Sequence, residues 1–260
     1  MITYFIMQVL PYISITVFVI GLLYRLGRWA NARIVHAITL TPAPTTEAGA
    51  ILNIVKEATF FSSLFKSDRA LWAGAWIMHM SLFLILAGHV LGIGLLGRQF
   101  AYIGLTSEET SELLSTLMGT FFGMVLLISL LYLLYRRLSM NEVRIISAPS
   151  DYMLLLLLIG IVLAGNLMRF VPQWGIHYEP VRDYVARLIT LAPITSEMEV
   201  MSKPALMIHI LLVQLLMLVF PFSKLLHSAG MFAHRYIINR PIVEPAPGLP
   251  GSQDKVPEEK

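Results

Sequence analysis

HMSLFLILAGH, residues 79–89, places two imidazoles at the ends of an otherwise apolar run. A polar ring is costly in hydrocarbon unless it finds a hydrogen bond or a metal, so histidines inside a membrane usually face the bundle interior and carry function. The run lies within a longer uncharged stretch, residues 70–97, and four others resemble it: residues 1–24, 113–135, 152–168 and 204–223. Each can cross a hydrocarbon core of roughly 30 Å. The fourth is the shortest, but Arg169 at its end can extend its charge outward to the interface. With 57% of its 260 residues hydrophobic and 13% charged, the chain reads as an all-α integral membrane protein, a bundle of five transmembrane helices. The first stretch has no basic residue ahead of it and no small-residue cleavage pattern before Arg25, so it is expected to remain as an anchor.

Excess Lys and Arg stay on the cytoplasmic side of a membrane. Assigning the loops alternately puts 14 of the 19 basic residues on one side and five (Arg98, Arg169, Arg182, Arg187 and Lys203) on the other. This predicts an N-terminus outside and a C-terminus in the cytoplasm, in the cytoplasmic (inner) membrane. The net charge of +3 is then a topological signal and implies no nucleic-acid partner. The chain has no cysteine, so it cannot itself ligate an iron–sulfur cluster, attach haem covalently, form disulfides or perform thiol catalysis.

Four of the seven histidines, His79, His89, His209 and His227, lie in or at the end of only two spans. Ten residues of helix rise about 15 Å and stop about 80° short of three turns, so His79 and His89 sit at different depths on broadly one side. That separation suits two stacked metal centres and is too large for one shared ion. The 18 residues from His209 to His227 would rise about 27 Å in an unbroken helix, but Pro221 lies between them and can kink or end it. The second and fifth spans run antiparallel, so His79 is level with His227 and His89 with His209. Two neutral imidazoles on opposite sides suit the axial positions of an iron porphyrin, leaving none open for oxygen. Two such b-type haems, one near each face, would make an electron path across the bilayer.

The H-x9-H of the second span and H-x17-H of the fifth, with five spans and the N-terminus outside, resemble the cytochrome b subunit of respiratory nitrate reductase over residues 1–235. That family also includes membrane subunits of heterodisulfide reductase and of the Dsr-type complex associated with sulfite reduction. AGNLMRF (164–170) and FPFSKLLHSAGMF (220–232) look most like the Dsr-type subunit. The resemblance implies haems at the cytoplasmic side (His79, His227) and the outer side (His89, His209), with a quinone site beside one of them. It further implies a quinone-reactive oxidoreductase subunit that exchanges electrons with menaquinone or another quinone. Its partners would be a cytoplasmic iron–sulfur protein of heterodisulfide-reductase type and an outer cytochrome c, in dissimilatory sulfur metabolism. A nitrate reductase gamma subunit and a heterodisulfide reductase cytochrome b are alternatives within the family. A histidine-lined proton or metal transporter is the alternative from another class, and a haem-stabilised membrane anchor without electron transfer is a third.

Other polar residues carry weaker signals. Gly88 and Gly92 leave room where a flat ring could slide beside His89, and Arg98 lies on the outer side with Glu108, Glu109 and Glu112, so the quinone is expected there. Helix packing competes for those glycines, and for Gly119 with Gly123. Arg169 could meet a haem propionate or simply reach the interface. Gln214 is expected to make an interhelical hydrogen bond, and Met198, Met201 and Met207 to pack. His36, His177 and His234 read as solvated loop residues. EAGAILNIVKEATFFSSLFK (47–66), after the break at 41–49, suits a membrane-surface helix or a partner contact. The outer loop, 170–203, with Trp174, Tyr178 and Tyr184, suits an interfacial cap. The Pro-rich cytoplasmic end, residues 236–260, is expected to be disordered.

Overall fold

The computed structural model describes residues 1–32, 44 and 46–238. His36, residues 41–43 and 45 of the expected break, and residues 239–260 of the expected tail lie outside the described residues; residues 236–238, where that tail was expected to begin, instead end the last helix. Among the described residues every regular element is helical: α1 (Ile2–Ala30), α2 (Glu47–Phe60), α3 (Arg69–Leu91), α4 (Glu108–Ser139), α5 (Pro149–Phe170), α6 (Tyr178–Ile189), α7 (Pro204–Phe222) and α8 (His227–Ile238). Five of them, α1, α3, α4, α5 and α7, are long and apolar enough to cross a bilayer, and the chain is a multi-pass membrane protein. An odd number of crossings puts residue 1 on one face, the N face, and α8 on the opposite C face.

Helix starts follow the local chemistry. Asp68 caps α3 by accepting the Leu71 N–H at 2.8 Å, and Ser107 caps α4 by accepting the Thr110 N–H at 3.3 Å; α5 and α7 open on prolines, whose missing N–H costs nothing in a first turn. The Ser107 cap and the acidic first turn extend α4 well beyond the expected 113–135. Conversely, α3 stops at Leu91, six residues before the expected end at 97. Gly94 (φ 77°) and Gly97 (φ 85°) take the left-handed conformation there and fold residues 92–98 into turns.

Neighbouring spans pack in the order α3, α4, α5, α7, α1, while α3 meets α7 through the His89 and His209 rings, and α8 through the His79 and His227 rings, rather than by close backbone packing. Small residues let the packed pairs approach: Gly74 accommodates the Tyr132 ring, and Gly123 accommodates the Asn166 amide, whose Nδ2 donates to the Gly123 carbonyl at 3.1 Å. Large side chains such as Phe121 and Ile128 point outward, as lipid contact allows.

The most continuous buried core sits at the N face, where Met7, Tyr184, Ile194, Val200 and Leu206 pack together. Met198, Met201 and Met207 pack against it, so the 170–203 loop covers the N-face ends of α1 and α7. Pro11 explains how it is fastened. The Leu10 N–H reaches back five residues to Phe5 O in a π-helical turn, and Pro11 has no N–H to offer, so the carbonyls of Ile6 and Met7 are left for side chains. Gln214 Nε2 donates to Ile6 O at 2.9 Å and the Tyr184 hydroxyl to Met7 O at 2.7 Å. Gln214 thus makes the interhelical bond expected of it. Burial, with Tyr12 beside it, pushes the Tyr184 phenol up, so it donates as a neutral hydroxyl.

Tyr184→Phe removes this donor and leaves a buried carbonyl unsatisfied, an effect of about 1–3 kcal/mol. A lowered thermal midpoint of the detergent-solubilised variant, with helix content kept, is the expected result.

Candidate functional site: two histidine pairs between the spans

His79 and His89 project from α3 and His209 from α7. His227 is the first residue of α8, because Pro221 ends α7 at Phe222, Ser223 is extended (φ −111°, ψ 174°), and the turn Lys224–Leu226 leads into a new helix. This break turns His227 back onto His79, while His209, before the break, meets His89. The His79 and His227 ring centroids lie 6.0 Å apart with planes crossed at 86°. The His89 and His209 centroids lie 6.4 Å apart, with planes only 26° from parallel.

The hydrogen bonds fix which nitrogen of each ring is available. His79 Nδ1 lies 2.7 Å from Ala75 O, His89 Nδ1 2.8 Å from Ile85 O, His209 Nδ1 2.9 Å from Ile161 O, and His227 Nδ1 2.8 Å from Lys224 O. A carbonyl only accepts, so each Nδ1 carries the proton, and in the neutral ring each Nε2 presents a lone pair. Such a bond to the far nitrogen orients a metal-binding imidazole and raises its basicity. An iron held at ~2.0 Å from each Nε2, with a further ~1.2 Å to each ring centre, separates the centroids by ~6.4 Å. Both observed separations fit that span. Among the described residues no three His, Cys, Asp or Glu side chains converge on one point, so the histidines stand as two pairs.

Each pair has its own surroundings. Behind His209, Gly165 brings α5 so close that a Cβ there would meet the ring at 3.4 Å. From the same AGNLMRF segment, Arg169 lies against Gly119 and donates to Thr116 O at 3.4 Å and to the Tyr178 hydroxyl at 3.5 Å. Gly119 and Gly123 therefore serve packing against polar side chains of α5. At the C face, Phe61 stands edge-on to His79 at 5.1 Å. Phe61 links α2 to the short helix Ser62–Ser67 and is held by Glu57, which accepts from Ser62 Oγ at 2.6 Å, from the Ser63 N–H at 3.0 Å and from Ser63 Oγ. Arg235 of α8 donates to Glu57 Oε1 at 3.0 Å.

Gly88 has no packing partner: a Cβ there would find nothing within 4 Å among the described residues. Helix packing therefore does not account for it. Arg98 is engaged by Glu108 at 3.1 Å in an exposed ion pair beyond the end of α3. His177 and His234 lie outside both pairs, in the N-face loop and on α8. Arg182 carried no role in the sequence, yet its guanidinium is nearly enclosed and binds Leu96 O and Glu112, pinning the turn after α3 to α6. An inward-facing arginine on the amphipathic α6 is the signal that could have found it.

A family model described as nitrate reductase gamma subunit matches residues 56–245, more than half of the chain, and the chain belongs to that family. A protein of Archaeoglobus fulgidus described as an Hdr-like menaquinol oxidoreductase cytochrome b-like subunit is 28% identical, over 86% of this chain and 76% of its own. The counterpart in Archaeoglobus profundus is 26% identical over 88% and 76%. The nitrate reductase gamma chain of Bacillus subtilis is 30% identical over 64% and 75%.

Burial works to raise the Glu57 carboxyl, but the hydrogen bonds from Ser62 and Ser63 and the Arg235 guanidinium together hold it below the ordinary 4.5. A carboxylate whose folded value is depressed contributes stability above its unfolded value and loses it as pH falls through the folded one. The contact between α2 and α8 should therefore hold above pH 4.5 and loosen on further acidification, and Glu57→Gln should flatten that dependence. Amide protection of α8 relative to the intrinsic exchange rate at each pH measures it; protection indifferent to pH across that range in the unaltered protein would contradict the assignment.

Proposed function

We propose that this member of the nitrate reductase gamma-subunit family is the dihaem cytochrome b subunit of a respiratory membrane complex, carrying electrons between membrane quinone and a partner subunit. The observation that carries the reading is the pair of ring separations, 6.0 and 6.4 Å, with all four Nδ1 atoms committed to carbonyls so that both Nε2 atoms of each pair can face one iron. Each haem b, when bound, supplies a one-electron ferric/ferrous couple. His79 and His227 would hold one and His89 and His209 the other. Arg169 is the cation suited to a propionate on the His209 side.

The excess of basic residues around the C face supports a cytoplasmic C-terminus, with the chain in the cytoplasmic membrane. The His79 and His227 centre is then the cytoplasmic one. The relatives that match over most of this chain are cytochrome b-like subunits of Hdr-like menaquinol oxidoreductases, whereas the nitrate reductase chain covers less of it. That difference favours menaquinol as the quinol. It also favours a heterodisulfide-reductase-like iron–sulfur partner docked at the cytoplasmic face over residues 25–69 and the segment after His227, in dissimilatory sulfur metabolism. An outer cytochrome c and other membrane subunits complete such a complex.

The quinone is assigned to the outer side, beside His89. The open flank of Gly88 leaves room for a flat ring, and Arg98 with Glu108 supplies charged groups near the outer water. Quinol oxidation there gives quinone, two electrons passed inward and two protons released outside, so the reaction builds membrane potential; reversed flow would consume it.

Two outcomes test this reading in purified protein. Replacing His79 or His227 by Ala should remove one b-type spectral component, and replacing His89 or His209 should remove the other; loss of the same component from His79→Ala and His209→Ala would refute the pairing. Because Gly88 has open space around it, Gly88→Leu should keep both haems yet slow their reduction by added menaquinol by about tenfold or more, equivalent to roughly 1.4 kcal/mol. Unchanged reduction kinetics would move the quinone away from His89.

A further inference from the structure

The C-face pair is enclosed by a closed loop of contacts that the histidine pattern does not account for. Phe61 has φ 49° and ψ 47°, left-handed backbone that a bulky side chain takes only when its surroundings hold it there. Glu57 supplies that hold through Ser62 and Ser63, and two indoles add to it: Trp72 Nε1 donates to Phe60 O at 2.7 Å and Trp76 Nε1 to Thr59 O at 2.8 Å. The Phe61 ring so placed meets His79 edge-on, with an interplanar angle of 81°.

From His79 the loop passes to the His227 ring and then along α8. Arg235 lies eight residues, roughly two turns, beyond His227, and it reaches Glu57 Oε1 at 3.0 Å and Ser63 Oγ at 3.1 Å. One ion pair therefore fastens the helix that begins with His227 to the segment that places Phe61 on His79. The N-face pair has different support: the His209 Nδ1 proton goes to a carbonyl of α5, and its rings are nearly parallel where the C-face rings are crossed.

We infer that Glu57, Phe61 and Arg235 are positioning residues that hold His79 and His227 in crossed orientation and so give the C-face centre an electronic structure unlike that of the N-face centre. The inference rests on the dihaem reading above. Its chemistry is general. Parallel imidazole planes both interact with the same iron d orbital and split it from its partner, whereas crossed planes act on both and leave the two nearly degenerate. The crossed centre then has the more anisotropic low-spin ferric resonance.

Electron paramagnetic resonance of the oxidised, purified full chain, with haem counted per chain, tests the inference. The unaltered protein should give two low-spin signals, and the more anisotropic should vanish in His227→Ala. In Arg235→Ala and Glu57→Gln that signal should move toward the rhombic position of the other, which stays where it was, with two haems retained; Arg235→Lys should restore it. Phe61→Leu, which keeps bulk but loses the aromatic edge, should shift the same signal alone. Selective loss of the C-face haem in Arg235→Ala, recovered in Arg235→Lys, also supports the clamp. Two haems with both signals indifferent to all these changes would overturn the clamp and leave the dihaem reading standing, as would simultaneous loss of both signals in Arg235→Ala. Absence of any b-type haem from the unaltered protein would overturn the dihaem reading and the clamp with it.

Discussion

A neutral imidazole in hydrocarbon has two nitrogens to satisfy and no water to do it. Each of the four histidines solves half of that problem in the same way, by giving its Nδ1 proton to a backbone carbonyl. The carbonyls come from the histidine's own helix for His79 and His89, from the turn before α8 for His227, and from α5 for His209. What remains in every case is an Nε2 lone pair, and the four rings are grouped by twos. The arrangement of the spans follows from this grouping: α3 and α7 stand facing each other, while the close packing that holds the bundle together is left to α4, α5 and α1.

Two prolines make that arrangement possible from opposite ends. Pro221 ends α7 and lets the chain turn so that His227 starts a fresh helix on the C face. Pro11 withholds an N–H within α1 and frees carbonyls that bind Gln214 and Tyr184, tying α7 and the N-face cap to the first span. The chain is rigidly fastened at both faces, and the paired rings lie between the fastenings. Such preorganisation is what an electron carrier needs, because the ligand set should change little between oxidation states.

The spans were legible because uncharged runs of that length have few other uses, and the antiparallel run of the second and fifth spans set His79 level with His227 and His89 with His209, although the helical rises of about 15 Å and about 27 Å do not match. The break at Pro221 was legible for the same reason that proline cannot continue a ladder of hydrogen bonds. The end of α3 at Leu91 was not, since hydropathy registers Gly94 and Gly97 only as uncharged residues and is blind to positive φ. Glu57 and Arg235 were hidden by their separation of 178 positions, and Phe61 looked like one more aromatic in an amphipathic segment. Gly119 and Gly123 matched a packing motif, but nothing in their spacing said that Asn166 and Arg169 would be the side chains they admit.

If this chain holds two irons, each between two imidazoles, a potentiometric titration of the purified chain in lipid nanodiscs, followed in the visible region with haem and protein quantified, should show it. Two b-type haems per chain are expected, titrating as two one-electron components, both low-spin and indifferent to carbon monoxide because no axial position is open. A chain that purifies from haem-replete cells with one haem or none, or with a centre that binds carbon monoxide, would contradict it.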